Sequence, residues 1–178
     1  MPTSRLLDEA GMSHALQRMA DEIIQRCGPG DAPLVVGIQR RGVYLADRLA
    51  TLISARLGPV RRGKIDITLY RDDLQQIGPR PVVGETSLPP ELNGHTCILV
   101  DDVIYTGRTI RAALDEFADF GRPRRILLVV LVDRGGRELP IQPDVSGLTL
   151  ETGPNDRVDV GVQELDGFDA VDLVRAEG

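Results

Sequence analysis

The sequence has no tryptophan, three phenylalanines, three tyrosines, two cysteines and two histidines in 178 residues. With so few aromatics, stacking platforms for unpaired bases are scarce. Cys27 and Cys97 are too few for a disulfide framework or a cysteine-rich metal site, and both sit within apolar patterns, so they read as buried thiols. His14 and His95 have no partner at ligand or triad spacing. Positive charge is also short. With 21 Lys+Arg against 27 Asp+Glu the net charge is −6, which argues against blanket attraction to nucleic acid and leaves room only for a local basic face. No apolar run approaches the roughly 20 residues that span a bilayer. Residues 1–10 lack the apolar stretch of a signal peptide. A cytoplasmic protein with no membrane segment is expected.

What is present is a hydrophobic fraction of 42% with 27% charged residues, enough for one good core. A single domain over residues 1–178 is expected. Segments of helical and strand character alternate between Gly/Pro punctuation, which predicts an α/β fold with a central, mainly parallel sheet flanked by helices. Ser13 can cap a helix whose apolar face is Leu16, Met19, Ala20, Ile23 and Ile24, ending near Cys27. Leu34, Val35, Val36, Gly37 and Ile38 form a continuous apolar run, expected of a strand covered on both faces. A loop over 39–42 and a helix over 43–57 follow. Residues 64–70 alternate, with Ile65, Ile67 and Leu69 opposite Asp66 and Thr68, which predicts a strand with one polar face. Residues 71–90 are rich in Pro and Gly and weakly periodic, as expected of a flexible lid hairpin. Further strands are predicted at 97–100 and 126–132, with a helix over 109–120 between them. Short strand candidates near Thr149, Val158 to Val162 and Val171 to Val174 are expected to cap the sheet.

Chemistry concentrates between the strand at 97–100 and the helix that follows. Asp101 and Asp102 stand at the strand's C-terminal end, where open α/β sheets bind ligands. Thr106, Gly107 and Thr109 then run into a helix N-terminus, which offers hydroxyls, backbone N–H groups and a favourable dipole to an anion. Ionised carboxylates accept hydrogen bonds from vicinal sugar hydroxyls. A ribose 5-phosphate is the economical ligand. Neither a Walker loop nor a Gly-x-Gly-x-x-Gly fingerprint occurs.

The run Cys97, Ile98, Leu99, Val100, Asp101, Asp102, Val103, Ile104, Tyr105, Thr106, Gly107, Arg108, Thr109 resembles the phosphoribosyl pyrophosphate signature of type I phosphoribosyltransferases. Three further stretches, 37–46, 66–74 and 131–141, are similar to the PyrR family, pyrimidine operon regulatory (attenuation) proteins that are also uracil phosphoribosyltransferases. The resemblance spans residues 7–173. It implies a type I phosphoribosyltransferase fold with a small hood, mainly 133–160, and a lid at about 71–90. It also implies formation of UMP and pyrophosphate from uracil and phosphoribosyl pyrophosphate, with catalytic Asp101 and Asp102. Val100 through Thr109 would bind phosphoribosyl pyrophosphate, and Arg40 and Arg41 would face the pyrophosphate as bidentate forks. Arg71, Asp72, Asp73 and Arg80 of the lid, with Arg134, Arg137 and Val158 of the hood, would close over the substrate and shape the base pocket. Mg²⁺ would be held through the substrate near Asp101 and Asp102, with no dedicated protein site. A homo-oligomer, dimer or larger, is implied.

The resemblance also implies UMP-dependent regulation of transcription by binding pyrimidine operon mRNA, with Arg18 and Arg137 as RNA contacts. Here the chain departs from the family: Gln17 and Asp21 replace a common threonine and histidine, Gly136 a common histidine, Gln142 a common arginine, and Leu148 and Thr149 a common Lys-Asn pair. The changes at 21, 136, 142 and 148 each remove a donor or a positive charge. Two other readings remain beside the transferase: a nucleotide-sensing RNA-binding regulator with weak catalysis, and a phosphoribosyltransferase for another base.

Overall fold

The computed structural model describes residues 1–67 and 86–177. In chain order these form β1 (Thr3–Leu7), α1 (Glu9–Arg26), β2 (Leu34–Ile38), α2 (Arg41–Leu57), β3 (Arg61–Ile65), β4 (Thr96–Ile104), α3 (Arg108–Phe120), β5 (Arg125–Asp133), β6 (Val145–Thr149), β7 (Arg157–Gly161), α4 (Gln163–Asp166) and β8 (Ala170–Val174). A five-stranded sheet in the order β3-β2-β4-β5-β6 is parallel throughout. The expected α/β architecture with a central parallel sheet is therefore observed. All five residues of β2 are buried, as the continuous apolar run requires when helices cover both faces. α1 and α2 share one apolar cluster with Val35, Ile98, Val100 and Leu131. Ile110, Ala113 and Phe117 of α3 pack on the opposite face with Val36, Leu99 and Val130.

Strand order places the site. From β2 the chain moves through α2 to the outer neighbour β3, whereas from β4 it moves through α3 to β5 on the other side. The connections leave β2 and β4 in opposite directions, which opens a crevice at their C-terminal ends. α2 starts right at that crevice because Gly42 lies against β4. A Cβ at residue 42 would come within 2.7 Å of the Val100 carbonyl oxygen and 3.2 Å of Asp101 Cα.

Several elements differ from the sequence expectations, each for a physical reason. Asp8, not Ser13, caps α1: its Oδ1 accepts the Gly11 N–H at 2.8 Å, and the added turn buries Met12. α2 begins at Arg41, so Arg41 and Gly42 are helical. β3 lies upstream of the predicted strand, pairing Arg61 to Ile65 with Leu34 to Ile38. Asp66, expected on a polar face, is buried, and its N–H donates to Thr86 Oγ1 at 3.0 Å. The strand expected at 68–70 and residues 71–85 of the lid expected at about 71–90 lie outside the described residues; of the rest, Ser87 bridges Lys64.

The C-terminal strands do not simply cap the sheet. β6 joins it as the parallel edge strand beside β5. β7 and β8 instead make a separate three-stranded antiparallel sheet with β1, in the order β1-β8-β7. This hood sheet uses both ends of the chain and continues past residue 160. The N-terminal strand β1 has no apolar alternation of its own, and its pairing with β8 is what makes it a strand. Val158, Val160, Val171 and Leu173 of the hood join the α1/α2 cluster, so both layers share a core. No helix among the described residues is long and apolar enough to cross a membrane.

Candidate active site

A cavity of about 880 Å³ opens where β4 and α3 face the hood. Its floor is Asp102, Val103, Ile104, Tyr105, Thr106, Gly107, Thr109 and Ile110, and its hood wall includes Val158, Val160, Asp166 and Phe168. Gly107 caps α3 at φ +93° and supplies no side chain, so Thr106 Oγ1 accepts the Arg108 N–H at 3.2 Å instead. The first turn of α3 thus presents backbone N–H groups to the cavity wall, an arrangement suited to a phosphate.

The two acids at the end of β4 divide. Asp101 is 1% exposed, lies outside the cavity lining, and accepts the Asp102 N–H on its Oδ1 at 2.9 Å. Asp102 is half-buried, lines the cavity, and accepts the Val103 N–H on Oδ1 at 2.8 Å. Val100 is buried beneath the site with Asp101.

Five aspartates line the cavity, and four carry an arginine. Asp156 pairs with Arg175, Asp159 with Arg157, Asp166 with Arg41 and Asp172 with Arg5. Asp102 alone of the five has no arginine within ion-pair distance among the described residues. It is therefore the carboxylate left to meet a ligand. Hydrogen bonds from the Gly153 and Ala176 N–H groups, with Arg175 beside it, hold Asp156 below the usual carboxylate range. For Asp166 burial pushes upward, but the Arg41 guanidinium and the Val162 N–H outweigh it, so its carboxyl also lies below the ordinary value.

The segment after β5 clamps the loop from above. Thr106 O accepts the N–H groups of Glu138 and Leu139 at 3.0 and 3.1 Å. Arg137 donates to Tyr105 O at 2.7 Å, to Asp133 Oδ1 at 2.7 Å and to Gln142 Oε1 at 3.0 Å. Arg134 is buried, stacks 4.0 Å from the Tyr105 ring centroid, and donates to Thr152 Oγ1 and to the Gly153 and Asp156 carbonyls. Both arginines are committed to holding the loop and hood in place, and of the two only Arg134 reaches the cavity wall. Arg108 turns away to pair with Glu138.

The expected pyrophosphate arginines also separate. Arg40 is exposed, after a cis peptide bond from Gln39. Arg41 lines the cavity and gives its fork to Asp166, Nε to Oδ2 at 3.2 Å and Nη2 to Oδ1 at 2.8 Å. Arg71, Asp72, Asp73 and Arg80 lie outside the described residues. Asp156, Asp166 and Phe168 line the cavity without having stood out in sequence, because no local spacing ties them to β4. Of the cysteines, Cys97 is fully buried and burial pushes its thiol up to about 11, while Cys27 is half-buried and raised for the same reason.

Residues 2–165 match the family model of the phosphoribosyl transferase domain. The bifunctional protein PyrR of Thermus aquaticus is 51% identical over 176 residues, covering 98% of this chain and 97% of its own. The chain belongs to the PyrR family of phosphoribosyltransferases. PyrR of Deinococcus radiodurans is 48% identical over 177 residues, covering 99% of this chain and 97% of its own. The fold extends more widely. The hypoxanthine phosphoribosyltransferase of Trypanosoma cruzi superposes with a TM-score of 0.71 at 17% identity, covering 98% of this chain and 97% of its own. At that identity the likeness concerns the fold alone. In this PyrR-family chain the signature residues 102–107 and 109 are those that line the cavity.

Proposed function

We propose that the protein forms UMP and pyrophosphate from uracil and phosphoribosyl pyrophosphate. One observation carries this reading: Asp102, without an arginine partner among the described residues, stands beside the phosphate-cradling loop and first turn of α3 in a chain about half identical to PyrR end to end. The ribose hydroxyls would meet Asp102, and the 5-phosphate the Thr106–Thr109 backbone and hydroxyls. As the bond from ribose C1 to the leaving pyrophosphate oxygen breaks, the Asp102 carboxylate stabilises positive charge on the sugar. The uracil N1 lone pair then forms the new bond to C1. Asp102, the one of the two β4 acids that reaches the cavity, would also take the N1 proton. Asp101 supports it from below. Val158 of the hood wall would shape the base pocket.

Among the described residues no cluster of three His, Cys, Asp or Glu side chains is placed to hold a metal. Of the five cavity aspartates only Asp102 has no arginine within ion-pair distance among the described residues, which fits an ion carried in mainly by substrate oxygens, so Asp102 would be the protein contact for Mg²⁺. An ion held there would supply charge neutralisation for the leaving pyrophosphate. A homo-oligomer belongs to this reading, with Leu57, Leu114 and Phe120 as exposed apolar groups available to it.

The test is UMP formation from uracil and phosphoribosyl pyrophosphate with Mg²⁺, with hypoxanthine, guanine and orotate as parallel bases. Turnover with uracil alone is expected. Turnover with a purine would replace the substrate assignment, and UMP binding without turnover would make the protein a nucleotide sensor.

The regulatory activity that the family name implies is the second half of the reading. Of its two expected RNA contacts, Arg137 is enclosed by Tyr105, Asp133 and Gln142, whereas Arg18 keeps 44% of its side chain exposed. Asp21, which would repel phosphate, is paired with Arg56. Filter binding to pyrimidine leader RNA with UMP, across a salt series, tests it, and salt-sensitive binding is expected.

A further inference from the structure

Arg41 and Arg48 lie on α2 and both reach down to the segment around α4, but they are held differently. Arg48 bridges two carboxylates at once. It donates to Glu164 at 2.9 and 2.6 Å and to Asp169 at 2.9 and 2.8 Å, with its side chain 22% exposed. These bonds raise the Arg48 guanidinium above its ordinary value, and they carry both acids below theirs despite burial. Breaking that arrangement would strand charges, so Arg48 is a fixed staple between α2 and the hood.

Arg41 has one carboxylate, Asp166, and its side chain is 36% exposed on the cavity wall. The Asp166 carboxylate does not depend on Arg41 alone: its Oδ2 also accepts the Val162 N–H at 2.8 Å. If Arg41 turned away, Asp166 would remain hydrogen-bonded and the hood would remain stapled through Arg48. The pair is thus built so that one partner can leave. Arg41 is also the one cavity arginine in the first turn of α2, beside the crevice where an anionic substrate would extend from Asp102.

We propose that Asp166 is a resident placeholder anion for Arg41, which the pyrophosphate group of the substrate displaces, so that Asp166 sets the affinity of the site for polyanions. The inference rests on the transferase reading given above. Asp166 takes no part in bond making. Its carboxylate competes with a phosphate for the same guanidinium fork, and it lowers substrate and pyrophosphate affinity by the strength of the pair given up.

The experiment compares wild type, Asp166→Asn and Arg41→Gln by isothermal titration with inorganic pyrophosphate and Mg²⁺, and by steady-state kinetics. Asp166→Asn keeps an oxygen for the Val162 N–H and removes the negative charge. It is expected to bind pyrophosphate on the order of 5-fold more tightly, as an exposed to half-buried ion pair would allow. KM for phosphoribosyl pyrophosphate should fall in step, while KM for uracil stays put. Arg41→Gln should bind more weakly, and adding Asp166→Asn to it should then have no effect. Weaker or unchanged binding in a folded Asp166→Asn, checked by its melting temperature, would overturn the inference. Turnover separates the two readings: a wild type that binds pyrophosphate but converts no base contradicts the transferase reading, while normal turnover with unchanged Asp166→Asn affinity contradicts the placeholder alone.

Discussion

Arg18 of α1 donates to the Gly147 carbonyl oxygen of β6, and also reaches the Ser146 carbonyl at 3.3 Å. β6 is the outer strand of the parallel sheet, so these bonds tie α1 to its edge. A residue expected to contact RNA therefore also holds helix and sheet edge together. Arg18→Ala is predicted to cost about 1–2 kcal/mol of stability in urea denaturation. RNA-binding losses in that variant must be read against this cost, and Arg18→Lys, which keeps charge but not the fork, separates the two effects.

The division between Asp101 and Asp102 gives different stability expectations for substitutions at the two positions. Asp102→Asn should retain the wild-type melting temperature, because the amide oxygen still accepts the Val103 N–H, and should lose at least about 100-fold in kcat. Asp101→Ala should lose activity together with about 1–3 kcal/mol of stability, since it removes a buried acceptor for the Asp102 N–H. Parallel melting and turnover measurements check both. Full activity in Asp102→Asn would remove Asp102 from the chemistry.

Arg134 ties the end of β5 to the loop before β7 through Thr152, Gly153 and Asp156, while its face rests on Tyr105. Arg134→Ala should destabilise the protein by about 2–4 kcal/mol and raise KM for phosphoribosyl pyrophosphate, because hood and loop lose their common post. Arg134→Lys should not restore either property, since an ammonium cannot make the planar set of bonds.

Asp156, Glu164, Asp166 and Asp169 all have carboxyls lowered from their ordinary values. A carboxyl lowered in the folded state stabilises the fold above its unfolded value, and that stability is lost as pH falls through the folded value. The melting temperature should therefore be flat through the neutral range and drop below about pH 4. Asp166→Asn should drop less steeply. Scanning calorimetry from pH 7 to pH 3 reads the difference.

Cys97 offers an alkaline counterpart. Its thiol is pushed up to about 11 by burial, against an ordinary value of 9.0. The unfolded chain releases this proton first, so stability should decline between these two pH values. In the native protein a thiol reagent should modify Cys27 well before Cys97, as peptide mapping would show.

Much of the frame was legible in sequence because local patterns imposed it. The unbroken apolar runs of β2, β4 and β5 can only be buried strands, and the Asp-Asp and Thr-Gly-Arg-Thr pairings mark a strand end running into a helix N-terminus. Other features carry no local mark. β1 became a strand only by pairing with β8 more than 160 residues away, and β6 entered the main sheet rather than the hood. Arg137 and Arg134 looked like ligand-facing cations; both make internal ties, because guanidinium groups are drawn to nearby carbonyls as readily as to a phosphate, and of the two only Arg134 also lines the cavity.

The sequence by itself determined the parallel α/β sheet, the position of the phosphate-cradling loop and the family, because these depend on periodicity and on contiguous residues. Only the tertiary structure decided which of the two β4 aspartates reaches the cavity, which arginines are already taken, and that Asp166 stands opposite Arg41. Those are relationships between residues that the chain brings together from afar. Their outcome depends on which buried charges and carbonyls find partners once the hood closes on the sheet.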